Sequence, residues 1–477
     1  MVHSSPSQTS HRNAYLLATE IGCRGPATRP LGHRLALKAA RQQMLAVGQW
    51  TPGQLMGRRW PIGCVALEIT QRCNLDCAAC YLSENAQAVK DLPLEEVFRR
   101  IDMIFDHYGA NTDVQVTGGD PTLRRSDELI AIVRRIRQKG MRSSLFTNGI
   151  RASRKLLESL ASVGLVDVAF HVDLTQRRKR YDSERALNAI RQDYVERTRG
   201  LGLSVFFNTT VFAGNFDQVP DVTQFFIRNC DVVRLASFQL QADTGRGELG
   251  RRCTMITPTS VQRQIEIGAG STLAFDTLQV GHSRCNRCAM TLVANGKVYD
   301  LLDDKPLCEA IIASTSELHF DRRVPARVVR TLARGILRDP PLARRVAASA
   351  LTRVWRMKAD LIAARGRVSK LSFFVHDFMD ACRLERDRID ACAFMAVTQH
   401  GPISMCLHNA KRDAFILSPV ELRGPHGHQF WDPLSGQITS GQPTGTFGQP
   451  LWREGIRKKV ERRPHHPSIG SKRTSNE

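Results

Sequence analysis

CVALEITQRCNLDCAACY, residues 64–81, joins an alternating apolar segment to a loop that holds Cys73, Cys77 and Cys80 within eight residues. Val65, Leu67 and Ile69 recur at every second position, the signature of a strand. Downstream, DLPLEEVFRRIDMIFDHYG places Leu94, Val97, Ile101, Ile104 and Phe105 at helical spacing, with Pro93 near the start and Gly109 past the end. DVQVT is the next strand and opens onto TGGDP (117–121). The helix after it carries Leu129, Ile130, Val133 and Ile136, with Ser126 expected as its cap and Gly140 as its stop. SSLFTNG, VDVAFHVDL, SVFFNTTVF and VVRLASFQL read as further strands, with helical stretches near 153–163, 183–199 and 217–229. About six β/α units at short intervals predict an α/β fold with a parallel sheet and crossover helices. Partly closed barrels and open doubly wound sheets both fit that count. In either, the loops at the carboxyl ends of the strands carry the chemistry.

The chain has 477 residues and a net charge of +22. Its apolar fraction of 42% excludes a wholly disordered or collagen-like chain. No run of about 18 apolar residues reads as a spanning helix. The first residues, MVHSSPSQTSHRNAY, lack the order of a secretory signal, so a cytoplasmic setting is expected. The positive charge concentrates in residues 1–60, 321–370 and 453–477, leaving the remaining body nearly neutral. Four parts are expected: a basic N-terminal extension (1–60), the β/α core (61–270), a less regular C-terminal unit (271–430) with an Arg/Ala-rich helical insert (321–370), and a basic tail (431–477) whose composition reads as disorder.

Thirteen cysteines without an export signal argue against a disulfide framework. Cys73, Cys77 and Cys80 on one tight loop can ligate three irons of a [4Fe–4S] cube, leaving the fourth iron open to a further ligand. A structural zinc site would want four closing ligands. CNLDCAAC has the CxxxCxxC spacing of radical S-adenosylmethionine (SAM) enzymes, and TGGDP resembles the glycine-rich motif that holds the methionine part of SAM. The resemblance covers roughly residues 60–250. It implies a partial (β/α)6 TIM-like barrel, a [4Fe–4S] cluster on Cys73, Cys77 and Cys80, and SAM held by Gly118, Gly119, Asp120 and Pro121. It further implies a 5′-deoxyadenosyl radical that abstracts a substrate hydrogen, and a reducing partner such as flavodoxin or ferredoxin. Asp120 stands where the family more often has Glu, and Ala79 where an aromatic is common, so Tyr81 is expected to cover the adenine. Asn148 in TNG and Asp173 in HVDL end later strands and are candidates for contacting the nucleoside or the substrate.

Three later stretches, SFQLQADTGR (237–246), GHSRCNRCAMTLVANGKV (281–298) and FMDACRLERDRIDACAFMAVTQHGPISMCLHN (378–409), resemble a narrower branch similar to tetraether lipid synthases. That resemblance implies an auxiliary iron–sulfur cluster on Cys285, Cys288, Cys392 and Cys406, with Cys308 or Cys382 as substitutes for one ligand. Zinc suits such a set equally well. A lipid-like substrate, with the basic helices lying on an anionic membrane surface, is therefore one functional expectation. Modification of RNA or a peptide is a second; aromatic content of 6% gives base stacking little support. A non-catalytic metal-binding interaction protein is the third.

Overall fold

In the computed structural model the described residues are 15–16, 32–247, 255–322, 324–424 and 427–440. Residues 1–14 and 17–31 of the N-terminal extension and the tail beyond residue 440 lie outside them, and with that tail the expectation of disorder beyond 440; residues 431–440, expected disordered by composition, instead carry the paired strand Ile438–Thr439. The strands of the core are β1 (Cys64–Thr70), β2 (Asp113–Gly118), β3 (Arg142–Thr147), β4 (Leu165–His171), β5 (Ser204–Val211) and β6 (Val233–Leu240). Each pairs with the next in parallel. The helices after β1 to β5 are α2 (Leu94–Tyr108), α3 (Ser126–Gln138), α4 (Arg154–Ser162), α5 (Glu184–Thr198) and α6 (Val219–Arg228); α1 (Gly32–Ala46) precedes them. The six-unit α/β reading is thus what folds. Ser126 differs from expectation: it is the first helical residue of α3, Arg125 takes the cap position, and no side chain caps the helix end.

The same sheet continues into the C-terminal segment. Beyond α7 (Pro258–Ala269) lie β7 (Asn286–Ala294), β8 (Lys297–Asp300), α8 (Lys305–Ser314), α9 (Pro325–Leu337) and α10 (Pro340–Ala363). Next come β9 (Ser369–His376), α11 (Arg386–Asp390), β10 (Phe394–Thr398), β11 (Gly401–Ser404), α12 (Met405–Ala410) and α13 (Arg412–Ile416). The strand order is β11-β10-β1-β2-β3-β4-β5-β6-β9-β7-β8. β10 lies parallel to β1 and β9 parallel to β6, extending the parallel run to eight strands. The two ends of that run approach each other through side chains: the rings of His376 and Phe374 lie 4.8 and 6.2 Å from that of Phe394. A short antiparallel unit, β12 (Val420–Gly424) with β13 (Gly427–Trp431) and Ile438–Thr439, follows.

Period-2 alternation sorts the core strands into two layers. Val65, Leu67 and Ile69 of β1 and Val114 and Val116 of β2 are buried in the core shared with Val97, Ile101 and Ile104 of α2. The intervening positions, such as Ala66, Gln115, Ser144 and Ala169, face the lumen, where they line a cavity. One charged pair is sealed into this framework. Arg412 of α13 reaches both carboxylate oxygens of Glu68 on β1, at 2.8 and 2.7 Å, and Gln71 donates to the same carboxylate. Burial alone would raise the Glu68 pKa, but Arg412, His408 and Gln71 together hold it down at about 2, from 4.5. The stabilisation is therefore present above pH 4.5 and is lost as the pH falls toward 2. Arg412→Ala, which strands the buried carboxylate, is expected to lower stability by about 3–5 kcal/mol at neutral pH. The deficit should shrink on acidification as Glu68 takes up a proton; thermal unfolding at pH 7 and pH 5 checks both.

Candidate functional site

The cysteine loop sits at the carboxyl end of β1, and its shape is fixed by neighbouring backbone. Gly118 has φ +133°, and a Cβ there would collide with the carbonyl oxygen of Thr70; one on Gly119 would collide with that of Arg72. The two glycines let the end of β2 lie flush against the loop. Gly119 N–H donates to Thr70 O at 2.9 Å and Asp120 N–H to Arg72 O at 2.8 Å, joining the glycine turn to the cysteine loop. Gln87 donates to Cys73 O, and Ala78 N–H to Thr175 O, so the loop is held from three directions.

Cys73, Cys77 and Cys80 all line one cavity of about 440 Å³, together with Gly118, Gly119, Tyr81 and Asn148. Asn148 donates to Asn74 at 2.7 Å, and its amide nitrogen lies 3.9 Å from the Cys73 sulfur. Tyr81 donates its hydroxyl proton to Gly118 O at 2.7 Å and lies under the Arg412 guanidinium, 4.7 Å from it.

Asp120, Pro121 and Asp173 do not line the cavity. Asp120 is fully buried, and its carboxylate is taken up by Thr122 N–H, the Thr147 hydroxyl and Asn148 N–H. It fastens the turn after β3 to the turn after β2, and so acts on a ligand only through Asn148 and the glycines. Asp173 behaves alike, accepting from Thr175 N–H and Thr210 N–H. Burial would raise its pKa, yet the adjacent His171 and these donors hold it well below the usual carboxylate range. His171, 2.6 Å from Asp173, is the group that faces the cavity.

Arg246, which the sequence reading left unassigned, closes the site from the end of β6. It donates to Leu75 O at 3.0 Å, lies beside Cys80, and its charge favours the ionised form of Cys73. Gly245, at φ +59°, packs its backbone against Tyr81 to bring it there. The thiols need such help: burial, with lesser contributions from neighbouring charges, pushes the Cys73 and Cys77 thiols up. A bound iron, together with the nearby guanidinium, would stabilise thiolate in this setting.

The lumen runs from the cysteines to the amino ends of the strands, past Phe146, Phe206, Leu235 and Phe374. Its far end is charged. Arg322 and Arg142 bind Asp113 at 2.6 and 3.0 Å, and Arg142 lies 3.6 Å from Asp167. His376, half-buried among Phe374, Phe378 and Phe394 where it lines the lumen, is held neutral, its pKa lowered by desolvation to about 3.

Of the second cysteine set, Cys285, Cys392 and Cys406 lie within electrostatic reach of one another. Cys392 and Cys285 are near enough for their charge to raise the Cys406 thiol further, after burial has done most of it. Arg388 donates to the Cys285 sulfur at 3.3 Å. Cys288 stands apart, within β7 opposite Phe374 and beside Lys370 and Asp300. The reason is the strand itself: residues three apart in an extended chain point to opposite faces, so a CxxC that enters β7 cannot present both thiols alike. Cys308 lies in α8, and Cys382 is exposed. Among the described residues no three His, Cys, Asp or Glu side chains converge as around a single metal ion. Thiols that each face a different iron of a cube need no such convergence.

A parallel β/α barrel-like sheet with three cysteines on its first carboxyl-end loop, clasped by a glycine turn and facing a deep lumen, defines a class: an α/β enzyme fold with a thiol triplet that could hold a cluster. Residues 67–226, most of the β/α core, match the family model described as the Radical SAM superfamily. The chain is 27% identical over 186 residues to a 7,8-dihydro-6-hydroxymethylpterin dimethyltransferase of Methanocaldococcus jannaschii, covering 38% of this chain and 36% of that one. It is 31% identical over 168 residues to a probable GTP 3′,8-cyclase of Pyrococcus abyssi, covering 35% and 53%. It is 28% identical over 166 residues to a PqqA peptide cyclase of Methylobacterium nodulans, covering 34% and 42%. The matched segments span between about a third and about half of these relatives. None of the three is a tetraether lipid synthase, so the superfamily, not the narrower branch, is what the relatives support. The superfamily implies a [4Fe–4S] cluster and SAM, and the residues fit both: three cavity-facing thiols, a cation beside them, and a glycine cradle that a single Cβ would fill. No helix among the described residues is long and apolar enough to cross a membrane.

Proposed function

We propose that this protein is a radical SAM enzyme acting on a substrate with a long apolar portion, admitted into the barrel lumen. The observation that carries the reading is that the three thiols share one cavity with Phe146, Phe206, Leu235, Phe374 and Phe394, between which polar groups such as Gln115, Asn208 and Gln239 are set. When bound, the cluster and SAM supply a 5′-deoxyadenosyl radical that takes a hydrogen atom from the substrate. The chain's own part is to hold the cluster on Cys73, Cys77 and Cys80, to seat SAM against Gly118 and Gly119, and to keep water from the lumen with Phe146, Phe206 and Phe374. His171 and His408 join Gln115, Asn208 and Gln239 as polar contacts that interrupt the apolar wall. Among the described residues, the buried Nδ1 of His408 has no hydrogen-bond partner. Burial, the largest influence, lowers its pKa to about 4, so it stays neutral near pH 7. A one-electron donor such as flavodoxin or ferredoxin belongs to this reading.

Carbon–carbon coupling of lipid chains is the finer form of the proposal; it rests on SFQLQADTGR, GHSRC and the FMDAC…MCLHN stretch, together with the lumen. A peptide substrate is the second reading, favoured by the PqqA peptide cyclases among the relatives. Incubating the reduced, SAM-supplied enzyme with perdeuterated lipid extract or with perdeuterated peptides separates them. Deuterium entering 5′-deoxyadenosine from the lipid pool is expected; transfer from the peptide pool alone would overturn the lipid reading. Ala396→Phe, which narrows the lumen, should cut substrate-dependent turnover at least about tenfold while leaving uncoupled SAM cleavage within about twofold. An equal loss in both would contradict the assignment of the lumen.

An auxiliary iron–sulfur cluster is part of the proposal, with Cys285, Cys392 and Cys406 as its ligands and Cys288 not among them; zinc, the alternative, would need these thiols to converge on one ion, which they do not. Metal analysis tests the set. Cys285→Ser should lower metal content beyond that of the first cluster, and Cys288→Ser should leave it unchanged; the opposite pattern would reinstate Cys288.

A further inference from the structure

α9 and α10 form a pair whose inner side is accounted for and whose outer side is not. Leu342, Met357 and Asp360 of α10 are buried, and Gly335 of α9 packs on Thr315 and Leu318. On the outer side Leu351, Trp355 and Ile362 are 71%, 69% and 78% exposed. Their spacing of four and seven residues places them along one face of α10. Val329 and Leu337 of α9 are exposed to a similar extent. Single exposed apolar residues are ordinary, but a row of this size on one helix marks an interaction surface.

The charge around the row selects its partner. Residues 325–363 hold nine basic residues and two acids. Asp339 is engaged in capping α10, and Asp360 is buried against Asn295, Tyr299 and Lys297. Arg327 pairs with Asp321, and Arg353 and Arg356 with Asp303. Among the described residues Arg330, Arg334, Arg338, Arg344 and Arg345 have no acidic partner. Lys358 lies over the Trp355 ring at 3.4 Å, leaving its ammonium beside the apolar row. A second copy of this chain would set arginines against arginines, and a nucleic acid backbone offers nothing to bury Leu351 and Ile362. An anionic bilayer satisfies both features, taking the apolar row at the acyl boundary and the guanidinium groups at the headgroups.

We propose that the α9–α10 pair is a docking surface for an anionic lipid bilayer. The inference is independent of the substrate reading. Arg322, three residues before α9, lines the amino end of the lumen, so a docked pair brings that end close to the membrane.

Cosedimentation of the full chain with phosphatidylcholine vesicles, with and without phosphatidylglycerol, tests the proposal. Binding is expected with phosphatidylglycerol at low salt, at least about tenfold weaker without it. Leu351→Ser combined with Trp355→Ser and Ile362→Ser should weaken binding to the anionic vesicles at least about tenfold with an unchanged thermal unfolding profile. Should that variant misfold, Arg330→Gln with Arg334→Gln and Arg338→Gln serves instead and should also lose binding. Wild type that ignores anionic vesicles would overturn the proposal. So would a folded triple-serine variant that binds as wild type, RNA that displaces the protein from vesicles, or a dimer formed through the same face.

Discussion

Replacing Cys73, Cys77 and Cys80 together by alanine is expected to yield a folded protein that lacks about four irons per chain and produces no 5′-deoxyadenosine from SAM. The loop that carries them is fastened mainly by backbone: Ala78 N–H to Thr175 O, Gln87 to Cys73 O, and Arg246 to Leu75 O. None of these contacts needs a sulfur atom, so the variant should keep its secondary structure and thermal unfolding. SAM cleavage, by contrast, should drop by at least about 10³-fold, as when a group that acts as part of a single unit is removed. Single replacements should cost nearly as much as the triple one, because a cube missing one of three protein ligands is not retained. Iron and sulfide analysis beside product quantification checks the set. Undiminished cleavage in the triple variant would place the chemistry elsewhere.

The second large effect is expected at Gly119, where alanine should abolish SAM binding and impair cluster retention together. The Cβ has nowhere to go: the carbonyl of Arg72 occupies its place, with Gln71 O close behind. To admit it, the turn after β2 must move away from the cysteine loop, breaking the bonds from Gly119 to Thr70 and from Asp120 to Arg72. Asp120 would carry the strain onward, since its carboxylate also holds Thr147 and Asn148. A stability loss of about 2–4 kcal/mol accompanies the loss of the site. Gly200→Ala is a fitting control. Its φ of +80° makes alanine strained there too, but a Cβ meets nothing within 4 Å, so iron content and SAM binding should be untouched. Calorimetric SAM titration of reconstituted protein separates the two outcomes; a Gly119→Ala variant that binds SAM normally would contradict the cradle.

Much of the core was legible in the sequence because its signals are local. Six strands with period 2, helices with stripes such as Val97, Ile101 and Ile104, and a cysteine triplet at a strand end all lie within short windows. What was not legible depends on contacts far along the chain. β9 and β10 come from residues 369–398 yet flank β6 and β1, a pairing that no short window reveals. Asp120 and Asp173 read as ligand contacts because both end a strand within a motif, and only burial shows that backbone and hydroxyl donors already occupy them. His171, two residues before Asp173 and facing the cavity, was within the same quoted segment. Arg246 was hidden among 68 basic residues until its fold position set it beside Cys80. Cys288 looked like a partner of Cys285 by spacing, and the strand geometry of β7 separates them.

The most direct measurement is electron paramagnetic resonance of the anaerobically purified, dithionite-reduced protein, recorded before and after adding SAM, with the same samples assayed for 5′-deoxyadenosine. Three protein thiolates leave one iron open, so a reduced [4Fe–4S] signal that shifts on SAM addition, together with product formation, is predicted. A colourless protein holding zinc and no iron, or a cluster signal indifferent to SAM and without product, would contradict the assignment of Cys73, Cys77, Cys80 and the Gly118–Gly119 cradle to radical SAM chemistry.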